Sequence, residues 1–322
     1  MVVPTRNRSR LLAITLQSIL WQRNVELEVI VVEDASTDDT AEMVVGMGDP
    51  RITLLRRESP QGPSTARNAG ASRASGEWLA FCDDDDLWAP DKLARQVDAA
   101  TSAGRAWAYV GSVNVGSGFE VIAGRPPPAP EEAVEALRGY NAVPGGGSNV
   151  IVRSAIFKEI GGFDDRFPPC EDWELWIRLA RAGPPASEAR PLLAYRIHGG
   201  NSSLDTERIL RATRLIEQVH HTHVDRGLLH RWLAESALRV GRREEALRHM
   251  ATAAARGEVV GVAGDLLTIA RRRAARLIGK QPGRSSRAES AWIAEASGWL
   301  QNLQRLVGAS GDGGQRDPQS DP

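Results

Sequence analysis

Three groupings of carboxylates and one histidine are the residues best suited to chemistry. The first, Asp83-Asp84-Asp85-Asp86, directly follows the apolar run Trp78 to Cys82. Four adjacent carboxylates repel one another, a divalent cation relieves the repulsion, and in extended geometry Asp83 and Asp85 point the same way. Such oxygens suit Mg2+ or Mn2+, which keep open positions for substrate phosphates. A solvated acidic loop is the plainer reading, but Trp88 and Pro90 follow at once, as in an ordered turn. The second grouping is Glu33-Asp34 with Ser36 and Asp38. A capped turn accounts for Ser36, Asp38 and Thr40 and leaves the two acids over, and an Asp placed there can accept from a base N–H. The third, Glu171-Asp172, opens a helix whose Trp173, Trp176, Ile177 and Ala180 form an apolar stripe. Acids there complement the helix dipole, and a carboxylate at a cleft edge also serves as a general base. His198, in YRIHGGNSS, is a candidate ligand for metal or phosphate, although a lone His is more often structural. No Ser-His-Asp order, P-loop or zinc-type cysteine spacing is present, and Cys82 and Cys170 read as buried thiols beside the acidic motifs.

The elements that must position these residues alternate in type. Met1 to Val3, Glu28 to Val32, Ile52 to Leu55, Trp78 to Cys82 and Trp107 to Val113 read as strands buried on both faces, with helices between them. The pattern predicts an α/β domain on a mostly parallel sheet, whose ligands bind beyond the carboxyl ends of strands, just after Val32 and Cys82. From Val115 to Ser148 the sequence is rich in Gly and Pro, with a short helix at Glu131 to Arg138 and a Gly triplet at Gly145 to Gly147. A strand at Asn149 to Val152, a turn at GGFDDRF and a helix from Glu171 to Ala182 follow.

Composition narrows the classes. The 322 residues carry 40 Lys+Arg against 41 Asp+Glu and only two Cys. The balance lacks the basic bias of a nucleic-acid binder, so no nucleic-acid partner is expected. No apolar run approaches the roughly 18 residues of a membrane span, and no signal-peptide pattern opens the chain. A reducing, cytoplasmic setting is the expectation, without a disulfide framework.

Taken together, VVPTRNR, VEDASTDDT, GPSTARNAGASRASGEWLAFCDDDDLW, GGFDDRF and EDWELWIRLA resemble, in order, a family 2 glycosyltransferase of the GT-A fold. The resemblance spans about Val2 to Ser203. It implies a nucleotide-binding sheet with flanking helices, a nucleotide-sugar donor that is usually UDP-linked, a Mg2+ or Mn2+ cofactor on an Asp-x-Asp motif, and inversion in a single displacement. It assigns Pro4, Thr5 and Arg6 to the nucleotide pocket, Asp34 to the base, Arg67 to the base and phosphates, and Asp83 with Asp84 to the donor. Asp85 then holds the metal, His198 matches a histidine sometimes found near it, and Asp172 is the catalytic base. The acceptor is a saccharide, lipid-linked or other hydroxyl group, in cell-surface polysaccharide or glycoconjugate synthesis. Family members carry several residues before the first strand, whereas Val2-Val3 follow Met1 directly, which implies a shortened strand or a start placed too far downstream. Glu33 and Cys82 stand where Asp and an aliphatic residue are commoner. A nucleotidyltransferase, or an interaction protein on a degenerate nucleotide-binding sheet, are the rival readings of the same residues.

The resemblance covers a catalytic domain at 1–203; composition rich in Ala, Arg, Leu and Glu predicts a helical C-terminal region at 204–307, and a closing stretch with too little apolar surface to fold predicts a disordered tail at 308–322. Trp232 to Gly257 reads as two helices about Gly241, with Ala237, Ala246, Leu247 and Ala253 spaced as in a tetratricopeptide hairpin, which cannot bury its own apolar face alone. Between Leu266 and Ala288 lie seven positive charges and no acid, from Arg271 to Arg287. A solvated helix face is the first reading of that run; peripheral contact with an anionic membrane at its inner face is the second.

Overall fold

Alternation along the first two strands builds two cores on opposite faces of one sheet. In the computed structural model, which describes residues 1–201, 204–267 and 287–311, β1 (Val2–Thr5), β2 (Val29–Glu33) and β3 (Ile52–Arg56) form a parallel sheet in that order. Val2, Ile30 and Val32 enter one core, while Val3, Val29 and Val31 enter the other. β1 is fully buried; it pairs with β2 and bridges from Val2 to Phe81. β3 departs from expectation: it is the sheet's edge and only partly buried.

Phe81 continues β4 (Trp78–Ala80), which belongs to a second sheet ordered β4-β8-β6-β9-β5. Here β5 is Leu87–Trp88, β6 Trp107–Val115, β7 Val121–Arg125, β8 Ile151–Arg153 and β9 Ala186–Arg196. β6 pairs with β9 in parallel, but β4·β8, β6·β8, β5·β9 and β6·β7 are antiparallel. The expectation of a mostly parallel sheet therefore holds for the first sheet and fails for the second. Buried strands read as continuous apolar runs in either direction, so hydrophobicity does not encode orientation. β7 also lies where the Gly/Pro composition predicts loop, because Val121–Arg125 is a half-exposed strand paired on one side with β6.

Helices cover both faces, as the resemblance implies. They are α1 (Ser9–Leu20), α2 (Thr40–Gly46), α3 (Pro63–Arg73), α4 (Lys92–Ser102), α5 (Pro130–Ala136), α6 (Ser154–Glu159) and α7 (Glu171–Ala182). Leu12, Leu16 and Ile19 of α1 pack with Trp88 and Leu93 in one core. In the other, Trp173 and Trp176 of α7 join Phe81, Trp107 and Tyr109, with the Trp107 and Trp176 rings stacked 6.3 Å apart. Cys82 and Cys170 are buried free thiols, one in each core.

Downstream, the described residues are helical: α8 (Thr206–His220), α9 (Arg226–Arg239), α10 (Arg243–Ala255), residues 259–267 and a last helix, Arg287–Gly311. Ile209 and Ile216 of α8 and Leu229 and Leu233 of α9 extend the core around α7, and Trp299, Leu300 and Leu303 of the last helix extend the other. α9 and α10 turn about Gly241 at φ +79° and bury Ala234, Met250 and Ala253 together. Ala237 and Ala246 are buried, but Leu247, expected with them, is exposed. Residues 308–311, expected in a disordered tail, belong to the last helix. The rest of that tail and the basic run from Arg271 to Arg284 lie outside the described residues.

Candidate active site

One cavity of about 1110 Å³ opens at the carboxyl ends of β1, β2 and β4. Pro4, Thr5, Arg6, Asp34, Arg67, Asp83, Asp84, Asp85 and Asp172 all line it. His198 does not line it, but its Nε2 lies 2.8 Å from Asp85 Oδ2. Residues from five separate stretches of sequence are thus brought to one place.

The loops after β1 and β2 are fastened to each other. Asn7, at φ +54°, donates its amide to Ser36 Oγ at 3.0 Å and accepts from the Thr37 amide at 2.7 Å. Glu33, left over by a simple capped turn, is buried and accepts from the Ser36 amide and, at 3.2 Å, from Arg56. Asp34 accepts the amides of Gln61 and Gly62, the latter at 2.9 Å, and so shapes the entry to α3. Arg57 Nε also lies 3.4 Å from its Oδ1; with three donors on about four lone-pair sites, capacity for one ligand N–H remains at the cavity wall.

Within the acidic run the four carboxyls have different surroundings. Asp83 is a third exposed and pairs with Arg67 at 2.5 Å. Asp84 is buried, takes the Thr5 hydroxyl at 2.8 Å and Arg8 at 2.9 Å, and is pushed up to about 6 by burial, partly offset by Arg8. Asp85 is equally buried, yet its hydrogen bond with His198 and the charge of Arg8 outweigh burial and hold it below the usual carboxylate range. Asp86 faces inward, bonded to the Ser148 hydroxyl and the Arg196 amide, and burial beside Asp85 and Asp83 holds it well above the ordinary range. Oxygens of Asp83, Asp85 and Asp86 lie within 4.8 Å of one another, a set of hard donors that fits Mg2+ or Mn2+. Of the three, Asp83 and Asp85 line the cavity, paired with Arg67 and with Arg8 and His198 respectively, while Asp86 is engaged underneath.

Asp172 stands in the first turn of α7, accepts from its neighbour Trp173 at 2.6 Å and from Asn141 Nδ2 at 3.2 Å, and faces the cavity. Burial, followed by the adjacent Glu171 carboxylate, pushes it up to about 7. That value suits a group that takes a proton near neutral pH.

Several site residues carry little local signal. Arg67 joins Asp83 to Glu171, 2.9 Å away across 104 positions, and so ties the acidic loop to the start of α7. Arg8 bridges Asp84 and Asp85. Ser148 accepts the Asp83 amide and Asn149 exchanges hydrogen bonds with Val110, so the Gly triplet loop is anchored on both sides. Gly146, at φ +60°, lies close against Asp172: a Cβ there would be 3.1 Å from Asp172 Oδ2. The triplet itself was the available signal for such a close approach.

Residues 1–161 match the model of Glycosyl transferase family 2, and residues 136–214 that of Glycosyltransferase like family 2. The chain belongs to glycosyl transferase family 2. It is 40% identical over 103 residues to the succinoglycan biosynthesis protein ExoO of Rhizobium meliloti (strain 1021), covering 32% of this chain and 30% of that protein. It is 26% identical over 211 residues to the UDP-Glc:alpha-D-GlcNAc-diphosphoundecaprenol beta-1,3-glucosyltransferase WfaP of Escherichia coli, covering 64% of this chain and 82% of WfaP. Among solved structures, S. aureus TarS 1-349 in complex with UDP-GlcNAc is similar with TM-score 0.56 and 18% identity, over 98% of this chain and 91% of that one. Mannosyltransferase PcManGT from Pyrobaculum calidifontis, in complex with GDP-Man and Mn2+, is similar with TM-score 0.52 and 21% identity, over 94% and 85%. At these identities the structural likeness is one of fold.

Proposed function

We propose that this protein is a cation-dependent, inverting glycosyltransferase that moves a sugar from a UDP-linked donor to a hydroxyl on a saccharide or lipid-linked acceptor, in cell-surface polysaccharide synthesis. The observation that carries the reading is that Asp34, Asp83, Asp85 and Asp172 line one cavity, the last with a carboxyl suited to proton transfer. Asp34 receives the base, beside Pro4, Thr5 and Arg6. Arg6, Arg8 and Arg67 face the diphosphate with positive charge, which stabilises the leaving nucleotide as the glycosyl bond breaks. Asp83 and Asp85 would hold Mg2+ or Mn2+, with His198 beside Asp85; the cation supplies further charge neutralisation for the departing diphosphate. Asp172 takes the acceptor proton while the acceptor oxygen attacks the anomeric carbon from the face opposite the leaving group, so an α-linked donor gives a β-linked product. No helix among the described residues is long and apolar enough to cross a membrane. Work at the cytoplasmic face, beside a lipid-linked acceptor, is part of the proposal, and the buried free thiols suit a reducing compartment.

The test is a panel of UDP- and GDP-sugars incubated with the full chain, with and without Mn2+, followed by release of nucleoside diphosphate. Release from one UDP-sugar that stops on chelation supports the reading. Release of pyrophosphate from a sugar phosphate and a nucleoside triphosphate would instead make the protein a nucleotidyltransferase.

A further inference from the structure

The cavity does not end at Asp172. It runs on past Asn141 and Tyr140 to α9, where Arg231, Trp232 and Glu235 form its far wall. Its volume of about 1110 Å³ lies above the roughly 300–1,000 Å³ common for one small ligand, and its lining reaches well beyond the donor residues. Trp232 and Tyr140 remain 38% and 39% exposed in a chain that buries Trp88, Trp107 and Trp176 almost completely. An aromatic ring kept open to a cleft offers an apolar plate, and a pyranose has a C–H face to lay on it.

The polar groups at this end favour a neutral partner. Arg125 places Nη2 2.5 and 2.6 Å from the two oxygens of Glu235. Arg231 is paired with Glu258 at 2.9 Å and with Asp265 at 3.0 Å. Both guanidiniums already face carboxylates, so the wall offers hydrogen-bonding edges without net positive charge for a phosphate. Continuity with the chemistry comes through Asn141, which follows Tyr140 and bonds Asp172 at 3.2 Å.

We propose that Tyr140 and Trp232 form a subsite for the neutral sugar rings of the acceptor, one or more residues behind the ring whose hydroxyl reaches Asp172. α9 lies beyond the residues that match either family model, so the helical region adds Trp232 to a subsite that Tyr140 begins within the matched residues, and the sheet supplies donor chemistry. The inference rests on the glycosyltransferase reading above.

The experiment uses the full chain with UDP and Mn2+ and, as probes, β-linked oligomers of glucose and of N-acetylglucosamine, two to four rings long. Binding is read by saturation-transfer NMR and titration, and UDP affinity separately by calorimetry. The wild-type protein is expected to bind at least one oligomer, Trp232→Ala to weaken that binding roughly tenfold, and Trp232→Phe to retain most of it. UDP affinity is expected to match wild type in both variants. Tyr140→Leu, on a different element, gives the same loss and covers the case in which Trp232→Ala does not fold. Binding of no oligomer by the wild-type protein, or undiminished binding by Trp232→Ala and Tyr140→Leu, would overturn the proposal. Failure of the wild-type protein to bind UDP at all would instead sink the donor reading on which it rests.

Discussion

Arg67 and Glu171 meet at 2.9 Å across 104 positions of sequence, and because Arg67 of α3 also holds Asp83, this contact ties the acidic loop to the helix whose second residue is the proposed base. Arg67 is 4% exposed and reaches Asp83 with its other terminal nitrogen. Removing one partner of a buried pair leaves the other charge stranded, which costs far more than the pair contributes net. Arg67→Met is therefore expected to lower unfolding free energy by about 3 kcal/mol. Arg67→Lys should lose less, since a single ammonium retains charge but cannot span both carboxylates. Urea denaturation checks both, and equal midpoints for wild type and Arg67→Met would contradict the assignment.

For Asp85 the expected effect is on binding. Asp85→Asn keeps one oxygen and loses the charge that offsets desolvation of a divalent cation. Calorimetric titration with UDP should show the Mn2+-dependent gain in affinity reduced about tenfold or more. The same gain in the variant as in wild type would remove Asp85 from the cation site.

Gly146 offers a purely steric test. A methyl group there meets Asp172 Oδ2 at 3.1 Å and sits on a backbone at φ +60°, which L residues rarely adopt. Gly146→Ala should cost about 1 kcal/mol in stability and lower transfer by displacing the carboxylate, with UDP affinity unchanged. Stability and transfer rate both at wild-type values would show that the loop has room to spare.

Lys92 gives a prediction in pH. Its Nζ is fully buried, donates to Gln96 at 2.6 Å and the Asn149 carbonyl at 3.1 Å, and lies 4.0 Å from the Trp88 ring centroid. Burial, partly opposed by Cys82 and Asp86, lowers its pKa from 10.5 to about 7. Below pH 7 the group is protonated in both states; above it the unfolded chain binds the extra proton, so this group's contribution to stability rises with pH toward 10.5. The stability of wild type relative to Lys92→Met should accordingly grow by about 1 kcal/mol per pH unit between roughly pH 7.5 and 9. A difference that stays flat would place the proton elsewhere.

The parts legible in sequence are those set by local pattern. The limits of α7 follow from the stripe of Trp173, Trp176 and Ile177, and the carboxylates after β2 and β4 lie where an α/β sheet puts its ligands. Strand direction was not legible, because β6 and β8 are apolar runs whichever way they pair. Nor was the burial of Lys92, since a lysine near the start of a helix ordinarily faces water and only the surrounding Trp88, Gln96 and Asn149 enclose it. The links from Arg67 to Glu171 and from Arg8 to Asp84 and Asp85 are tertiary, and no spacing rule connects residues so far apart.

The measurement closest to the central claim is single-turnover transfer by Asp172→Asn across pH, with the donor found in the nucleotide-sugar panel. Asp172 is raised to about 7 by burial and Glu171, so the wild-type rate should fall as pH drops below about 7, toward tenfold per unit. The variant should bind UDP with wild-type affinity, transfer roughly a hundredfold or more slowly, and lose that acid limb. A variant that turns over at the wild-type rate with the same pH profile would contradict the assignment of Asp172 as the base.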